Sequence, residues 1–227
     1  MSTEIDHLVV VADSLDQGAA WCEATLGVVP GPGGRHAFMG THNRLLNLSS
    51  PAFPASYLEI IAIDPDAAAP TRPRWFGMDD PDLRARIQSA PRLVHFVARS
   101  NAIDDLHAAL AAIGQDAGQI VAAERQTPQG LLTWRLALHT DGNFAGRGAL
   151  PTLIEWRGAH PTDSLPASPV GLASIHLAGL PEHAVRAMAL RGVKCDAAGD
   201  AADGAGQVML RLTLDTPLGR VTLSTDD

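Results

Sequence analysis

An internal repeat is the feature that most constrains the fold of this chain of 227 residues. Three short apolar segments each carry a central histidine, and they are IDHLVVVAD (5–13), RLVHFVARS (92–100) and ASIHLAGLP (173–181). Aliphatic and β-branched runs between turn residues are typical of strands. A helical pattern follows each segment and ends at a glycine that lies 20, 19 and 16 residues after the histidine, respectively. The chain is therefore predicted to consist of copies of one strand–helix unit.

The segments after the three helical patterns extend the repeat. Three further strands are predicted in each of the first two copies, at 36–42, 44–49 and 56–63, and at 119–123, 132–139 and 151–158. The third copy offers only two, at 207–215 and 219–225. The sequence thus predicts an α+β protein with two complete βαβββ modules (4–63 and 92–158) and an abbreviated third. Proline-rich segments at 64–82 and 160–169 divide the chain into a site-forming part, 1–160, and a third module, 170–227.

Charge and composition limit the classes of partner. The net charge is −8 and the arginines are scattered, which argues against a nucleic-acid or anionic-membrane surface. No run approaches the roughly 20 apolar residues of a membrane helix, and the N-terminal segment has no secretory pattern. Two cysteines are too few for a disulfide framework or a thiolate zinc site. A cytoplasmic protein that binds a small molecule is expected.

Two glutamates stand in otherwise apolar strands, Glu59 in YLEIIAI and Glu155 in TLIEWRG. A carboxylate in such a position is rarely buried unless it is paired or binds a metal. Each module also has a histidine on its first strand, His7 or His95. Two imidazoles and two carboxylates that converge would suit a divalent first-row metal. Taken singly, each could equally be a hydrogen-bonded core residue or a solvent-facing strand residue.

These modules resemble the vicinal oxygen chelate superfamily, which includes glyoxalase and extradiol dioxygenases. Within it, the GGRH…GTHN run, the YLEIIAI strand and the TPQGLLTWRLAL segment look like the glyoxalase-like domain family. The resemblance covers residues 4–225 and implies a half-open mixed β-barrel with its helices outside. It also implies a divalent metal (Zn, Ni, Mn, Co or Fe) bound by residues of the first and last strands, although some members bind ligands without metal. The implied ligands are His7, Glu59, His95 and Glu155.

The glycine-rich stretch GPGGRHAFMGTHN (31–43) lies at the predicted opening of the half-barrel. Glycines let backbone N–H groups approach a ligand closely, and the polar side chains here add donors. The alternative is a turn and an edge strand whose polar residues face water. An arginine on the apolar strand LTWRLAL needs an anionic partner or solvent. The predicted substrate-binding residues are therefore Arg35, His36, Thr41, His42, Asn43 and Arg135. His160 is expected to face solvent and His176 to be structural.

Two functions from different classes follow. The first is a metal-dependent lyase or isomerase, with a dioxygenase as second choice, acting on a small oxygenated and possibly anionic metabolite. Glu59 or Glu155 would move the proton in that reaction. The alternative is a metal-free protein that binds and sequesters a small molecule, as bleomycin resistance proteins of the same superfamily do. Because half-barrels leave sheet edges open, residues 170–225 are expected to cover such an edge or to form the subunit interface of a homodimer, without binding metal.

Overall fold

Two modules with the same order of elements form the first part of the chain. The computed structural model describes residues 3–144, 150–198 and 209–226. The first module consists of β1 (Glu4–Val11), α1 (Leu15–Leu26), β2 (Gly31–His36), β3 (Thr41–Asn47) and β4 (Tyr57–Ile63). A helix, α2 (Pro81–Ser89), precedes the second module, which consists of β5 (Arg92–Arg99), α3 (Ile103–Ala112), β6 (Gln119–Thr127), β7 (Gly130–Leu138) and β8 (Thr152–Arg157).

Local sequence signals account for the first helix. The Ser14 side chain accepts a hydrogen bond from the Gln17 backbone N–H, which satisfies one of the free donors at the start of α1. Gly27 ends the helix with a φ of 74°, a left-handed conformation that glycine adopts without steric cost. Cys22 and Leu26 are buried on one side of the helix, which packs against the sheet.

The two modules share one eight-stranded mixed sheet in the order β2-β3-β4-β1-β5-β8-β7-β6. The first strands, β1 and β5, pair antiparallel at the centre, and each pairs in parallel with the last strand of its own module. The sheet curves until its edge strands approach one another. A Cβ atom at Gly34 of β2 would lie 2.5 Å from Nη1 of Arg125 on β6. The predicted fold class is confirmed, and the barrel is nearly closed.

The third unit forms a separate four-stranded sheet. It comprises β9 (Gly171–Pro181), α4 (Glu182–Met188), β10 (Val193–Ala198), β11 (Met209–Thr216) and β12 (Gly219–Ser224), in the sheet order β10-β9-β11-β12. The sequence prediction missed β10. It also missed the strand order: β9 pairs with β10 and β11, whereas β1 and β5 each pair with the last strand of their own module. His176 pairs with Asp196 on this sheet at 2.8 Å.

The apolar side chains of the third sheet cover the outer face of the larger one. Leu177 and Leu212 belong to the same buried cluster as Leu8 of β1 and Leu106 of α3. A backbone hydrogen bond from Leu172 to Leu48 joins the two sheets. The third unit therefore buries an outer face, and the inner face of the eight-stranded sheet is left for a site. Within the described residues, no helix is long and apolar enough to cross a membrane.

Candidate functional site

The inner face of the curved sheet surrounds a cavity with about 490 Å³ of empty space. Most of its polar lining comes from the first module. These polar residues are His7, His36, Asn43, Tyr57 and Glu59, joined by Arg125 and Thr152 of the second module. The apolar lining comes mainly from the second module and the segment between the modules, and includes Trp75, Phe76, Val97, Trp134, Leu136, Ile154 and Trp156. The cavity therefore has a polar side and an aromatic side.

A β-bulge brings Asp6 into contact with His7. The pairing of β1 with β5 shifts register between Ile5 and His7, so that Asp6 is an extra residue in its strand. A bulge changes the direction of a side chain, and bulges are frequent beside active sites. Here Oδ1 of Asp6 lies 2.6 Å from Nδ1 of His7, although the two residues are adjacent in sequence.

The Asp6 carboxylate is fully buried and bonded on both oxygens. Its Oδ2 accepts a hydrogen bond of 2.9 Å from the Trp156 indole N–H and lies 3.1 Å from Nε2 of His160. Burial raises the pKa of Asp6, but the hydrogen bonds with His160 and His7 outweigh it and hold the pKa well below its usual value. An ionised Asp6 accepts the Nδ1–H of His7 and so leaves Nε2 of that ring as the reactive nitrogen.

His7 faces Glu59 across the polar side of the cavity. Nε2 of His7 lies 3.6 Å from Oε2 of Glu59, and both side chains are 7% exposed. Tyr57 stacks on the imidazole ring with a centroid distance of 4.6 Å and an interplanar angle of 19°. The ring is therefore fixed by Asp6 at one nitrogen and by Tyr57 on its face.

Asn43 connects Glu59 to the guanidinium group of Arg125. The Asn43 amide donates to Oε1 of Glu59 at 2.6 Å, and its Oδ1 accepts from the Gly34 N–H at 2.7 Å. Nη1 of Arg125 lies 3.4 Å from the same Oδ1. Among the described residues, no carboxylate lies within ion-pairing distance of Arg125. An arginine that lines a cavity without a carboxylate partner is suited to bind an anion.

His36 supports the same end of the cavity as a neutral acceptor. Burial, reinforced by the Arg125 cation, lowers the pKa of His36 to about 3. Its Nδ1 lies 3.1 Å from the Thr41 hydroxyl, and its Nε2 lies 3.5 Å from Nη1 of Arg125. Of the predicted substrate-binding residues, His36 and Asn43 line the cavity and Thr41 contacts His36, and their role in binding stays a prediction.

The structure places His95 outside the lining of the cavity, and its role as a ligand stays a prediction. This residue occupies the place in β5 that His7 occupies in β1, because His7 pairs with Val97 and His95 with Val9. Its Nε2, however, accepts a hydrogen bond of 3.0 Å from the Thr152 backbone N–H. Phe76 and Phe144 cover the ring, and burial lowers its pKa to about 3. Its Nε2 is therefore occupied, whereas its Nδ1 is buried without a hydrogen-bond partner among the described residues.

Glu155 faces away from the cavity, so its predicted roles as ligand and proton shuttle are corrected. In the second module it is Thr152, opposite Val97, that corresponds to Glu59, opposite Val9. Glu155 is three residues further along the strand, and an odd shift turns a side chain to the other face of a sheet. There it accepts a hydrogen bond of 2.9 Å from Nε of Arg135, which also bonds to Asp104. Arg135 therefore lies outside the lining of the cavity.

Arg35 and His42 also fall outside the cavity. They pair with each other across β2 and β3, and alternate with the inward-facing His36 and Asn43. The side chain of Arg35 is 61% exposed and forms an ion pair of 2.9 Å with Asp64. Of the glycine-rich stretch, only alternate residues reach the site, as the pleat of a strand requires.

The residues present do not fit the metal centre that the family resemblance implied. Of the four predicted ligands, only His7 and Glu59 lie close together, and the described part of the chain contains no group of three or more histidine, cysteine or acidic side chains suited to a metal ion. A catalytic zinc site usually has three protein ligands. The second module supplies a threonine where a third ligand would stand, and Arg125 adds positive charge near Glu59 through Asn43.

Sequence reasoning missed Asp6, Arg125, Trp156 and His160 as site residues. The bulge at Asp6 depends on strand pairing and leaves no mark in the sequence. His160 was expected to face solvent, but its side chain is 13% exposed and bonds to Asp6. One signal was available in the sequence. Trp134 and Leu136 alternate with Arg135 along β7, so the inward face of this strand carries either the two apolar side chains or the arginine, but not all three.

Paired modules around one inward-facing cavity define a protein of the vicinal oxygen chelate superfamily. A family model described as "Glyoxalase-like domain" matches residues 5–191, and the chain belongs to that family. Among curated proteins there is no match.

Solved structures resemble this chain at low sequence identity. A hypothetical protein from Staphylococcus aureus is 15% identical, with a TM-score of 0.53 over 78% of this chain and 69% of that one. Methylmalonyl-CoA epimerase from Streptomyces coelicolor is 16% identical, with a TM-score of 0.45 over 70% of this chain and 99% of that one. The Mycobacterium tuberculosis epimerase is 13% identical, with a TM-score of 0.40 over 71% and 91% of the two chains. The first of these likenesses concerns the fold alone, and the epimerases align too loosely to bear on the reaction.

Proposed function

We propose that this protein is an enzyme that moves a proton at a carbon atom next to the carbonyl group of a small oxygenated anion. The observation that carries the proposal is the buried Asp6–His7 pair, whose Nε2 faces the Glu59 carboxylate inside a cavity that also holds the Arg125 guanidinium. A base oriented by a second group, beside a donor for developing negative charge, is the arrangement that proton abstraction requires.

His7 acts as the base in this reaction. The lone pair on Nε2 bonds to the substrate proton, the C–H electron pair forms a C=C bond, and the carbonyl π pair moves onto oxygen to give an enolate. The ring then returns the proton to the same carbon or to the enolate oxygen, so that no oxidant or reductant is consumed. Asp6 on one side and Glu59 on the other stabilise the imidazolium formed in between.

Arg125 and Asn43 bind the anionic end of the substrate. A guanidinium offers paired N–H groups that match a carboxylate or an enolate oxygen. The neutral ring of His36 accepts a hydrogen bond from Arg125. It carries no positive charge of its own, so Arg125 is the cation that binds the anion. The binding energy at this end of the substrate orients the reacting carbon toward His7.

The other predicted functions differ from this one in what they require. A metal-dependent lyase, isomerase or dioxygenase needs ligands beyond His7 and Glu59. A metal-free binding protein needs the cavity but no proton transfer. The expected substrate is a small molecule in each case, and the cytoplasmic location and the homodimer stay predictions.

Hydrogen–deuterium exchange tests the proposal directly. The purified protein is incubated in D₂O with pyruvate, 2-oxobutyrate or phenylpyruvate, and loss of the proton signal next to the carbonyl is followed by NMR. We expect exchange above the uncatalysed rate with at least one of these acids, and none above it with the His7→Gln variant. Equal rates for the two proteins with every acid would overturn the proposal, and binding without exchange would support a sequestering protein.

Removal of divalent metals is expected to leave this exchange unchanged, because the site lacks the ligands of a metal centre. The rate is measured before and after dialysis against EDTA, and again after addition of Mn²⁺, Zn²⁺, Ni²⁺, Co²⁺ or Fe²⁺. Rates within twofold of each other are expected. Loss of exchange on dialysis and its recovery with one metal would instead establish the metal-dependent reaction.

The two strand glutamates are expected to behave differently. Glu59→Gln removes a charge beside Nε2 of His7 and should slow exchange about tenfold or more. Glu155→Gln alters an ion pair with Arg135 on the opposite face and should leave the exchange rate within about twofold of the original. The two variants serve as controls for one another. An equal loss of exchange rate in both variants would show that Glu155 takes part in the reaction.

A further inference from the structure

We infer that the substrate is an aromatic acid, in which a planar ring lies a few bonds from a carboxylate. This inference rests on the proposed function, because it concerns the same cavity, and it deepens that function by naming the class of substrate. Two observations carry it: a preformed aromatic wall in the cavity, and an arginine without a carboxylate partner that lines the same cavity.

The wall contains two aromatic pairs that the fold holds in place. Trp134 of β7 and Trp156 of β8 are opposite each other in the sheet, with ring centroids 5.3 Å apart. Trp75 and Phe76 stack at 5.4 Å with an interplanar angle of 25°. The Trp156 ring is anchored through its hydrogen bond to Asp6.

Fixed aromatic rings favour a ring-shaped partner. Offset or edge-on contacts between rings contribute binding energy beyond that of apolar burial alone. Rings already held by the protein lose little conformational entropy when the ligand enters. A short aliphatic acid such as pyruvate would reach Arg125 but leave this wall without contacts.

Arg125 favours an anionic group on the same molecule. The Nη1 atom of Arg125 has only the neutral acceptors Asn43 Oδ1 and His36 Nε2 within 3.5 Å in the described structure. Since Arg125 and the aromatic residues line the same cavity, a single small ligand can touch both.

Calorimetric titration of the protein with three matched compounds tests the inference. Phenylpyruvate carries both the ring and the carboxylate, pyruvate lacks the ring, and phenylacetone has a methyl group in place of the carboxylate. We expect phenylpyruvate to bind at least about tenfold more tightly than either of the others. Equal affinity for pyruvate and phenylpyruvate would overturn the aromatic part, and equal affinity for phenylacetone would overturn the acidic part.

Single substitutions test the aromatic part and the acidic part of the inference separately. Trp134→Leu should reduce the preference for phenylpyruvate over pyruvate about tenfold, while Arg125→Met should remove the preference for phenylpyruvate over phenylacetone. Trp21→Leu, on α1 outside the cavity, is the matched control and should change neither preference. Trp134→Phe keeps a ring and should retain binding if Trp134→Leu fails to fold. A preference for phenylpyruvate over pyruvate that Trp134→Leu leaves unchanged, or that Trp134→Phe abolishes, would contradict the inference.

The binding and exchange experiments can overturn the substrate class and the proton transfer independently. Selective binding of phenylpyruvate without deuterium exchange would leave the substrate class in place and overturn the proton transfer. Exchange with pyruvate as efficient as with phenylpyruvate would preserve the proton transfer and overturn the aromatic substrate.

Discussion

Replacement of His7 by glutamine is expected to lower the rate of deuterium exchange into phenylpyruvate by about 10²–10⁴-fold. Glutamine is close to histidine in size and is uncharged, but it has no nitrogen that can accept a proton at neutral pH. Arg125 and the aromatic wall remain in the variant, so the affinity for phenylpyruvate should change by less than about threefold. NMR exchange rates and calorimetric titration of the same samples measure the two quantities.

Two further variants make this result specific. Asp6→Asn removes the negative charge that orients and stabilises the His7 ring, and should slow exchange about 10²-fold or more. His176→Gln is the matched control, because His176 also pairs with an aspartate, at 2.8 Å from Asp196, but on the third sheet. This control should keep the original rate. A His7→Gln protein with more than half of the original exchange rate would remove His7 from the chemistry.

The folded protein is expected to lose stability steeply as the pH falls from about 6.5 toward 3. His36 and His95 are buried as neutral rings, and burial lowers the pKa of each to about 3. The unfolded chain binds protons at both residues below pH about 6.5, whereas the folded chain does not, so acid favours unfolding. Each ring contributes a slope of about 1.4 kcal/mol per pH unit inside this window.

Urea unfolding at pH 7.0, 6.0, 5.0 and 4.5 measures this slope. His95→Gln should reduce it by about one ring's share, because glutamine can accept from the Thr152 N–H without binding a proton. His176→Gln, at a more exposed site, should leave the slope within error of the original. A free energy of unfolding that is independent of pH in this range would show that the two buried rings are not neutral in the folded state.

The predictable part of the fold was the repeated unit. Alternating apolar strands, the Ser14 cap and the terminating Gly27 are local signals, and they correctly predicted two βαβββ modules. The strand β10 and the distinct order of the third sheet were not predictable. They depend on pairing between segments far apart in sequence, such as Val193 with Ile175.

The predictable part of the site was the first module. His7, His36, Asn43 and Glu59 follow from unusual polar residues in apolar or glycine-rich strands, and all four line the cavity. The second module misled because Glu155 and Glu59 look equivalent in sequence but differ by three positions in register. A strand's sequence alone does not say which of its two faces turns inward, and bulges such as that at Asp6 add a second ambiguity.

A crystal structure of the protein grown with phenylpyruvate and Mn²⁺ tests the central claim most directly. The account predicts the carboxylate of the ligand within hydrogen-bonding distance of Arg125, its ring against Trp134, and its reacting carbon facing Nε2 of His7. It also predicts no metal between His7 and Glu59, which anomalous scattering from Mn would reveal. Manganese bound to both side chains and to two ligand oxygens would contradict the account and establish the metal-dependent reaction instead.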